Sequence, residues 1–454
     1  MTDIPRKTAL TVLNKLSQQR HFHLDRIITD KVDNADLNIS SRDRNFLNAL
    51  IFGVLRWRGN LDWIITRYSK TPLAKINPAV LNILRLGMYQ IFFLDRVPDS
   101  AAVNTSVEMA KRAAPPWVVK YVNAVLRNAI RNRESLPFPS IAKNPLEAIS
   151  IQKSFPQWLV KRWIKRFGVE SCEKLCDDMN VIPPITVRCN TIKTQRNELL
   201  DMLVSEAESV SLSTLSPDGL CFVRPKQSIH EFSVFKKGLF QVQDEAAQLI
   251  TFLLAPESDE TVLDACAGLG GKTGHIAQQM RNSGQIIAVD QDQKKLTQLN
   301  DAMQRLGVSN VTTCMHDFKT PMPQFQNTGF DRILLDAPCS GLGVIRRNPD
   351  TKWSVSLQNL QEYAKKQLWL LENVSTLLKT GGTMVYVVCS FEPEENEVVI
   401  RNFLKTHEDF VIQTDFKNLP FDINQFSDSE GYFRTFPHTH DMDGFFAVCL
   451  KRIR

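Results

Sequence analysis

Five short apolar runs constrain this chain most: TVLDA (261–265), QIIAVD (285–290), VTTCM (311–315), RILLDA (332–337) and TMVYVVC (383–389). They are rich in β-branched residues, and helical stretches separate them. Strands this apolar cannot turn one face to water, so they belong in a parallel sheet covered on both sides. GFFAVCL (444–450) reads as a further strand. The expected architecture is a doubly wound α/β sheet, with ligands beyond the carboxyl ends of its strands.

At 454 residues the chain is longer than one domain usually is. Residues 5–133 read as helices: RKTALTVLNKLSQ has apolar residues at helical spacing, Ser40 to Asp43 can cap the helix carrying FLNALIFGVLRW, and Asn77-Pro78 opens the next. No strand-like alternation interrupts them, so a helical bundle is expected. LPFPSIAKNP (136–145) is a proline-rich linker. FPQWLVKRWIKRFG, PPITVRCN and KTQRNELLDML then read as helix, strand and helix. The expected division is 1–140 all-α, 146–235 a linker helix with a small α/β subdomain, and 236–454 the doubly wound domain.

Charge follows this division. Residues 1–150 hold 22 Lys and Arg against 12 Asp and Glu, whereas the remainder holds 33 against 37. A basic module joined to a slightly acidic one points to an anionic partner for the first, nucleic acid being the commonest. Nine cysteines are spread without a CxxC pair or a paired-histidine motif, so no metal is expected and the thiols read as reduced, as in the cytoplasm. The most apolar stretch, VLNILRLGMYQIFFL, contains Arg85 and Gln90 and is too short and polar for a membrane span.

The stretch TVLDACAGLGGKTGHIAQQM reads as strand, glycine turn and helix. A phosphate-binding P-loop would need glycine where Cys266 stands, and a dinucleotide fingerprint would need it at Thr273. The remaining reading is an adenosylmethionine loop, in which glycines admit the cofactor's amino-acid part to the backbone and a helix N-terminus faces its carboxylate. Asp290, ending the second strand, can accept ribose hydroxyls, and Asp317, after the third, can hold an adenine amino group. NAD also uses a carboxylate at the position of Asp290, so a dehydrogenase remains a rival.

Two cysteines sit at strand ends. Cys339 follows Asp336-Ala337-Pro338, and Cys389 ends the fifth strand in YVVCSFEPEENE. The fourth and fifth strands are both expected beside the first, which would turn both thiols toward the cofactor. The acids after Cys389 read as the start of a helix, with Pro393 in its first turn. That would place Cys389 just ahead of a helix N-terminus. A thiolate and a methyl donor together suit cytosine: sulfur adds at carbon-6, carbon-5 becomes enamine-like and attacks the methyl group, and a carboxyl at the N3 edge steadies the charge shift. The residues themselves leave open which thiol attacks.

DACAGLGGKT (264–273), LLDAPCSG (334–341), VVCSFEPEENE (387–397), DGFFAVCL (443–450) and FQVQDEAAQLI (240–250) together resemble the RNA cytosine-5 methyltransferases. The likeness is to the Sun or Fmu branch, which modifies small-subunit (16S) ribosomal RNA. RLGMYQIFFLDRVPDSAAVNTSVEMAK and VNAVLRN resemble that branch's NusB-like RNA-binding domain. The resemblance implies an adenosylmethionine-dependent, Rossmann-like catalytic domain with Cys389 as nucleophile and Cys339 assisting release. Related DNA enzymes use the cysteine of a Pro-Cys motif, here Cys339. The resemblance further implies that Cys266, Ala267, Gly268, Leu269, Gly270, Gly271, Lys272, Asp290, Asp317 and Asp336 bind cofactor and substrate. Gly268 and Leu269 stand where the family's loop has Ala and Pro, and Val388 where it has Thr. The expected partner is 16S ribosomal RNA, with no membrane, for a monomeric cytoplasmic protein. The rival from another class is a non-catalytic RNA-binding or assembly factor.

Overall fold

The computed structural model describes residues 3–18, 24–28, 40–320, 322, 329–416 and 419–454. Its contacts divide into two units, Met1–Val181 with Ile345–Ser354, and Ile182–Val344 with Val355–Arg454. Among the described residues no helix is long and apolar enough to cross a membrane.

The second unit holds two sheets. Strands β1 (Ile185–Cys189), β2 (Ala207–Leu212), β3 (Gly219–Pro225) and β4 (Phe240–Val242) form a small antiparallel sheet in the order β2-β3-β1-β4. The helix Arg196–Leu203 packs on it through Leu199 and Leu203. The larger sheet contains β5 (Thr261–Ala265), β6 (Gln285–Asp290), β7 (Val311–Met315), β8 (Phe330–Asp336), β9 (Leu378–Val388), β10 (Phe410–Ile412), β11 (Phe433–Arg434) and β12 (Phe446–Arg452). Its order is β10-β12-β9-β8-β5-β6-β7, with β11 paired to β12. Strands β5 to β9 pair in parallel, and β12 returns antiparallel to β9.

Alternation along these strands feeds two cores. Leu263, Leu335, Tyr386 and Val388 join one apolar cluster, whereas Val262, Leu334, Val385 and Val387 join another. Each such side chain, fully buried, contributes roughly 1.5–3 kcal/mol. Burial on both faces is why the sequence shows continuous apolar runs here instead of alternation. Two expectations change. Strand β9 starts at Leu378, five residues before the apolar run, because Gly382 lets the chain pass close to Asp331. Of the fourth and fifth strands only β8 lies beside β5; β9 lies one place farther out.

The first unit is helical. Ile4–Gln18, Leu24–Ile28, Ser41–Tyr68, Pro78–Phe93, Asp99–Ala113 and Pro116–Arg131 supply one apolar core. Local chemistry sets their starts: the Ser40 hydroxyl accepts from Asp43 N–H, and Asn77 Oδ1 accepts from Ala79 N–H ahead of Pro78. Gly53 is required by close approach, since a Cβ there would lie 1.9 Å from the Tyr89 ring. Three further helices follow, Pro145–Gln152, Gln157–Phe167 and Val169–Asp178. Gly168, with φ of 83°, closes the second of these.

Residues Ile345–Ser354 belong to this helical unit. Arg56 Nη2 donates to Arg346 O (2.7 Å), and Trp353 Nε1 donates to Leu55 O (2.7 Å). Lys352 is fully buried, and its ammonium donates to Arg56 O (3.0 Å), Ser154 O (3.2 Å) and Asn180 Oδ1 (2.7 Å). Phe155 covers it at 3.7 Å. Burial pulls its pKa well below the usual lysine range. Lys352→Met keeps the volume but strands three acceptors. It should lower stability to urea by roughly 2–4 kcal/mol. An unchanged unfolding midpoint would show that the cage contributes nothing.

Candidate active site

The parallel register brings the site together. Leu335 pairs with Tyr386 and Asp336 with Val387, and Ala337 N–H donates to Val387 O (3.0 Å). The two chains therefore leave the sheet side by side. Cys339 and Cys389 meet just beyond it, with their sulfurs 3.1 Å apart. Gly343 N–H donates to Cys389 O (3.0 Å), which holds the loop after Cys339 against the end of β9. Both thiols are partly exposed and line a cleft of about 290 Å³.

Cys266, Asp290, Asp317 and Asp336 line the same cleft, together with Gln291, Lys295, His316, Phe318 and Lys366. Of these last five, all but Gln291 carried no sequence signal. Lys366 comes from the helix Leu357–Ser375, whose periodicity marks only its buried side. Gln291 directly follows Asp290 at the mouth of the second parallel strand and could have been found by position.

The glycine turn is shaped by positive φ. Cys266 has φ 63°, Gly268 59° and Gly270 80°. Ala267 N–H donates to Val289 O (2.8 Å), and Gly268 N–H donates to Asp290 Oδ2 (3.0 Å). Asp290 thus braces the turn as well as facing the cleft. Leu269 points outward and is exposed. Gly270 opens the helix Gly271–Gln279. A Cβ at Gly271 would meet nothing within 4 Å, so open space borders that helix start. Ala267 to Lys272 do not contribute to the lining of the cleft itself. Asp317 caps its own turn by accepting from Lys319 N–H (3.1 Å), and that hydrogen bond holds its carboxyl below the usual range.

Lys272 is largely buried, and its ammonium pairs with Asp336 Oδ2 at 2.6 Å. Burial works against its charge, yet Asp336 and Cys389 keep its pKa above the ordinary lysine value. Donation of its S–H to the Cys389 sulfur and burial together push the Cys339 thiol well up. A proton retained on Cys339 can be donated to the Cys389 sulfur.

The acidic stretch departs from its sequence reading. The helix starts at Glu397, and Asn396 before it has φ −108° and ψ −112°, which is not helical. Cys389 therefore does not sit ahead of a helix end, and Pro393 is not in a first turn. Glu397 pairs with Arg434 (3.2 Å), while Glu395 is buried among the thiol loops.

A sheet of this order, with a glycine turn after its first parallel strand and a cleft at the strand ends, is a methyltransferase catalytic domain. Family models agree along the chain: "16S rRNA methyltransferase RsmB/F" matches residues 251–451, "NusB family" 3–131, and "Methyltr_RsmF/B-like, ferredoxin-like domain" 155–229. The chain belongs to the ribosomal RNA small subunit methyltransferase B family. The probable member from Bacillus subtilis is 35% identical over 448 residues, covering 98% of each chain. That from Escherichia coli K12 is 35% identical over 371 residues, 82% of this chain and 84% of its own. The crystal structure of PH0851 superposes with a TM-score of 0.81 at 26% identity over 99% of each chain. A methyltransferase homolog protein from Pyrococcus horikoshii gives a TM-score of 0.58 at 29% identity over 68% of this chain and 99% of that one.

One buried acid gives a pH-dependent outcome. Asp264 is fully buried, accepts from Thr273 Oγ1 (2.6 Å), and burial pushes its carboxyl up to about 7. Its ordinary value is 3.8, so between that and about 7 the native state holds a proton that the unfolded state has released. Stability from this group is full at the acid end and is lost as pH rises through that window, by on the order of 4 kcal/mol. Asp264→Asn should therefore melt above wild type at pH 8 and lose that advantage near pH 4.5. The opposite trend in melting temperature would show that the carboxyl is ionised in the fold.

Proposed function

We propose that this protein methylates carbon-5 of a cytosine in 16S ribosomal RNA, taking the methyl group from adenosylmethionine. It would act as a monomer in the cytoplasm. The observation that carries the reading is the 3.1 Å approach of Cys339 and Cys389 at the mouth of a cleft that Asp290, Asp317 and Asp336 also line. A lone strand-end thiol is ordinary packing, whereas two in contact at a ligand cleft are suited to covalent catalysis.

The donor set fits adenosylmethionine. Asp290 stands where ribose hydroxyls need acceptors, Asp317 and Phe318 flank the place for an adenine ring, and the open helix start at Gly271 suits a carboxylate. When bound, the cofactor supplies a methyl group bearing sulfonium electrophilicity.

The chain's own residues do the rest. Lys272 places a positive charge near Cys389, and Cys339 keeps its proton and can donate a hydrogen bond to that sulfur, which favours Cys389 as the nucleophile. Its thiolate bonds to carbon-6 of an unstacked cytosine, and the carbon-5–carbon-6 π pair becomes available at carbon-5. Asp336, lining the cleft and steadied by Lys272, faces the polar edge of the base. After methylation a base removes the carbon-5 proton. The carbon–sulfur bond then breaks, restoring the ring double bond and the Cys389 thiolate. Cys339 assists this last step. The basic helical unit, matched by the NusB family, supplies electrostatic affinity for the RNA backbone.

Cys389→Ala should reduce transfer of labelled methyl to cytosine in 16S ribosomal RNA by roughly 10⁴-fold or more. Retained activity would defeat the proposal. Cys339→Ser should instead accumulate a protein–RNA adduct that survives denaturing electrophoresis. If no adduct forms, Cys339 has no part in release.

A further inference from the structure

Glu395 occupies an unusual position for a carboxylate. It is fully buried, and its oxygens collect four donors. Oε1 accepts from Ser340 N–H (2.8 Å) and Gln367 Nε2 (3.1 Å), and Oε2 accepts from Ser340 Oγ (2.5 Å) and Ser390 Oγ (2.6 Å). Ser340 directly follows Cys339, and Ser390 directly follows Cys389. One side chain thus grips the residue after each thiol. Its own backbone is held too: Tyr386 Oη donates to Glu395 O (2.7 Å) from within β9. Gln367 extends the grip by donating also to Pro338 O (3.0 Å), just before Cys339.

We propose that Glu395 is a positioning residue that sets the spacing of the two thiols, holding Cys389 for attack and Cys339 for release. This rests on the thiol chemistry proposed above. Burying a carboxylate is costly unless its lone pairs are filled, and here four hydrogen bonds fill them. That cost has a structural return, because neither loop has regular secondary structure of its own to fix a sulfur position. Glu395 is not among the residues that line the cleft. Its effect on the reaction therefore passes through the serines and the cysteines beside them.

The test uses the full-length protein with Glu395→Ala and the near-isosteric Glu395→Gln. Loss of the clamp should lower kcat about 100-fold in Glu395→Ala, as expected for misplaced reacting groups, while the KM for RNA and the affinity for adenosylmethionine by calorimetry stay within about twofold. Glu395→Gln, which keeps an acceptor oxygen and lets the serine hydroxyls reverse, should recover about tenfold of that loss. Phenylarsine oxide, a trivalent arsenical that bridges two neighbouring thiols, reads the spacing without any RNA chemistry. In wild type it should cross-link the Cys339 and Cys389 peptides, as mapped by mass spectrometry, and in Glu395→Ala it should not. Undiminished bridging in Glu395→Ala overturns the proposal. So does unchanged kcat, or a kcat loss that tracks cofactor affinity and melting temperature together. Were wild type to leave cytosine unmethylated, the catalytic reading would fail while arsenical bridging still judged the clamp.

Discussion

The parallel pairing of β8 with β9 is the constraint on which the site depends. Their register sets Asp336 opposite Val387, and the two chains leave the sheet side by side. A slip of one residue would turn every side chain of one strand to the other face. Two separate cores forbid that slip, because Leu335 and Tyr386 pack on one side of the sheet and Leu334 and Val385 on the other. Packing far from the chemistry thus decides that two sulfurs leave the sheet at one point. The glycine turn after β5 arrives at the same edge because β5 is the other neighbour of β8.

Electrostatics then divides labour between groups of the same kind. Asp264 and Asp336 end adjacent strands and both face the glycine turn, yet only Asp336 has an ammonium partner, Lys272 at 2.6 Å. Asp264 has a hydroxyl partner instead, and burial raises its carboxyl to about 7. The thiols divide similarly. Cys339 is held protonated by its contact with Cys389 and by burial, while Cys389 shares the neighbourhood of Lys272.

What the sequence made legible follows from what local patterns encode. The apolar runs at 261–265 and 285–290 match their strands residue for residue, because two-sided burial leaves a continuous signature, and the run at 311–315 matches its strand although that strand is half-exposed at the sheet edge. The glycine turn and both thiols were legible because they sit at strand ends, where chain position predicts placement. Glu395 was not. An acid run before an apolar segment is what a helix start looks like, and nothing local says that one of those acids folds back onto Ser390 and onto a loop 55 residues earlier in the chain. Lys352 is the same kind of case: a lone lysine in RRNPDTKW reads as solvent-facing, and its three acceptors come from residues 56, 154 and 180. Long-range polar satisfaction leaves no periodic mark.

Arg188 shows how far such hidden contacts reach. It lies on β1 of the small antiparallel sheet, fully buried, and burial pulls its pKa down to about 9. Its guanidinium donates to Gln243 Oε1 and to Gly271 O (2.8 Å), the first residue of the helix after the glycine turn. It also reaches Gln278 Oε1 (3.3 Å) in the same helix. A planar cation with several fixed donors cannot shift toward one partner without losing another. Asp218, between β2 and β3, also accepts from Gln278 Nε2 (2.8 Å) in that helix, so both Arg188 and Asp218 of the matched ferredoxin-like segment hold the helix after the glycine turn.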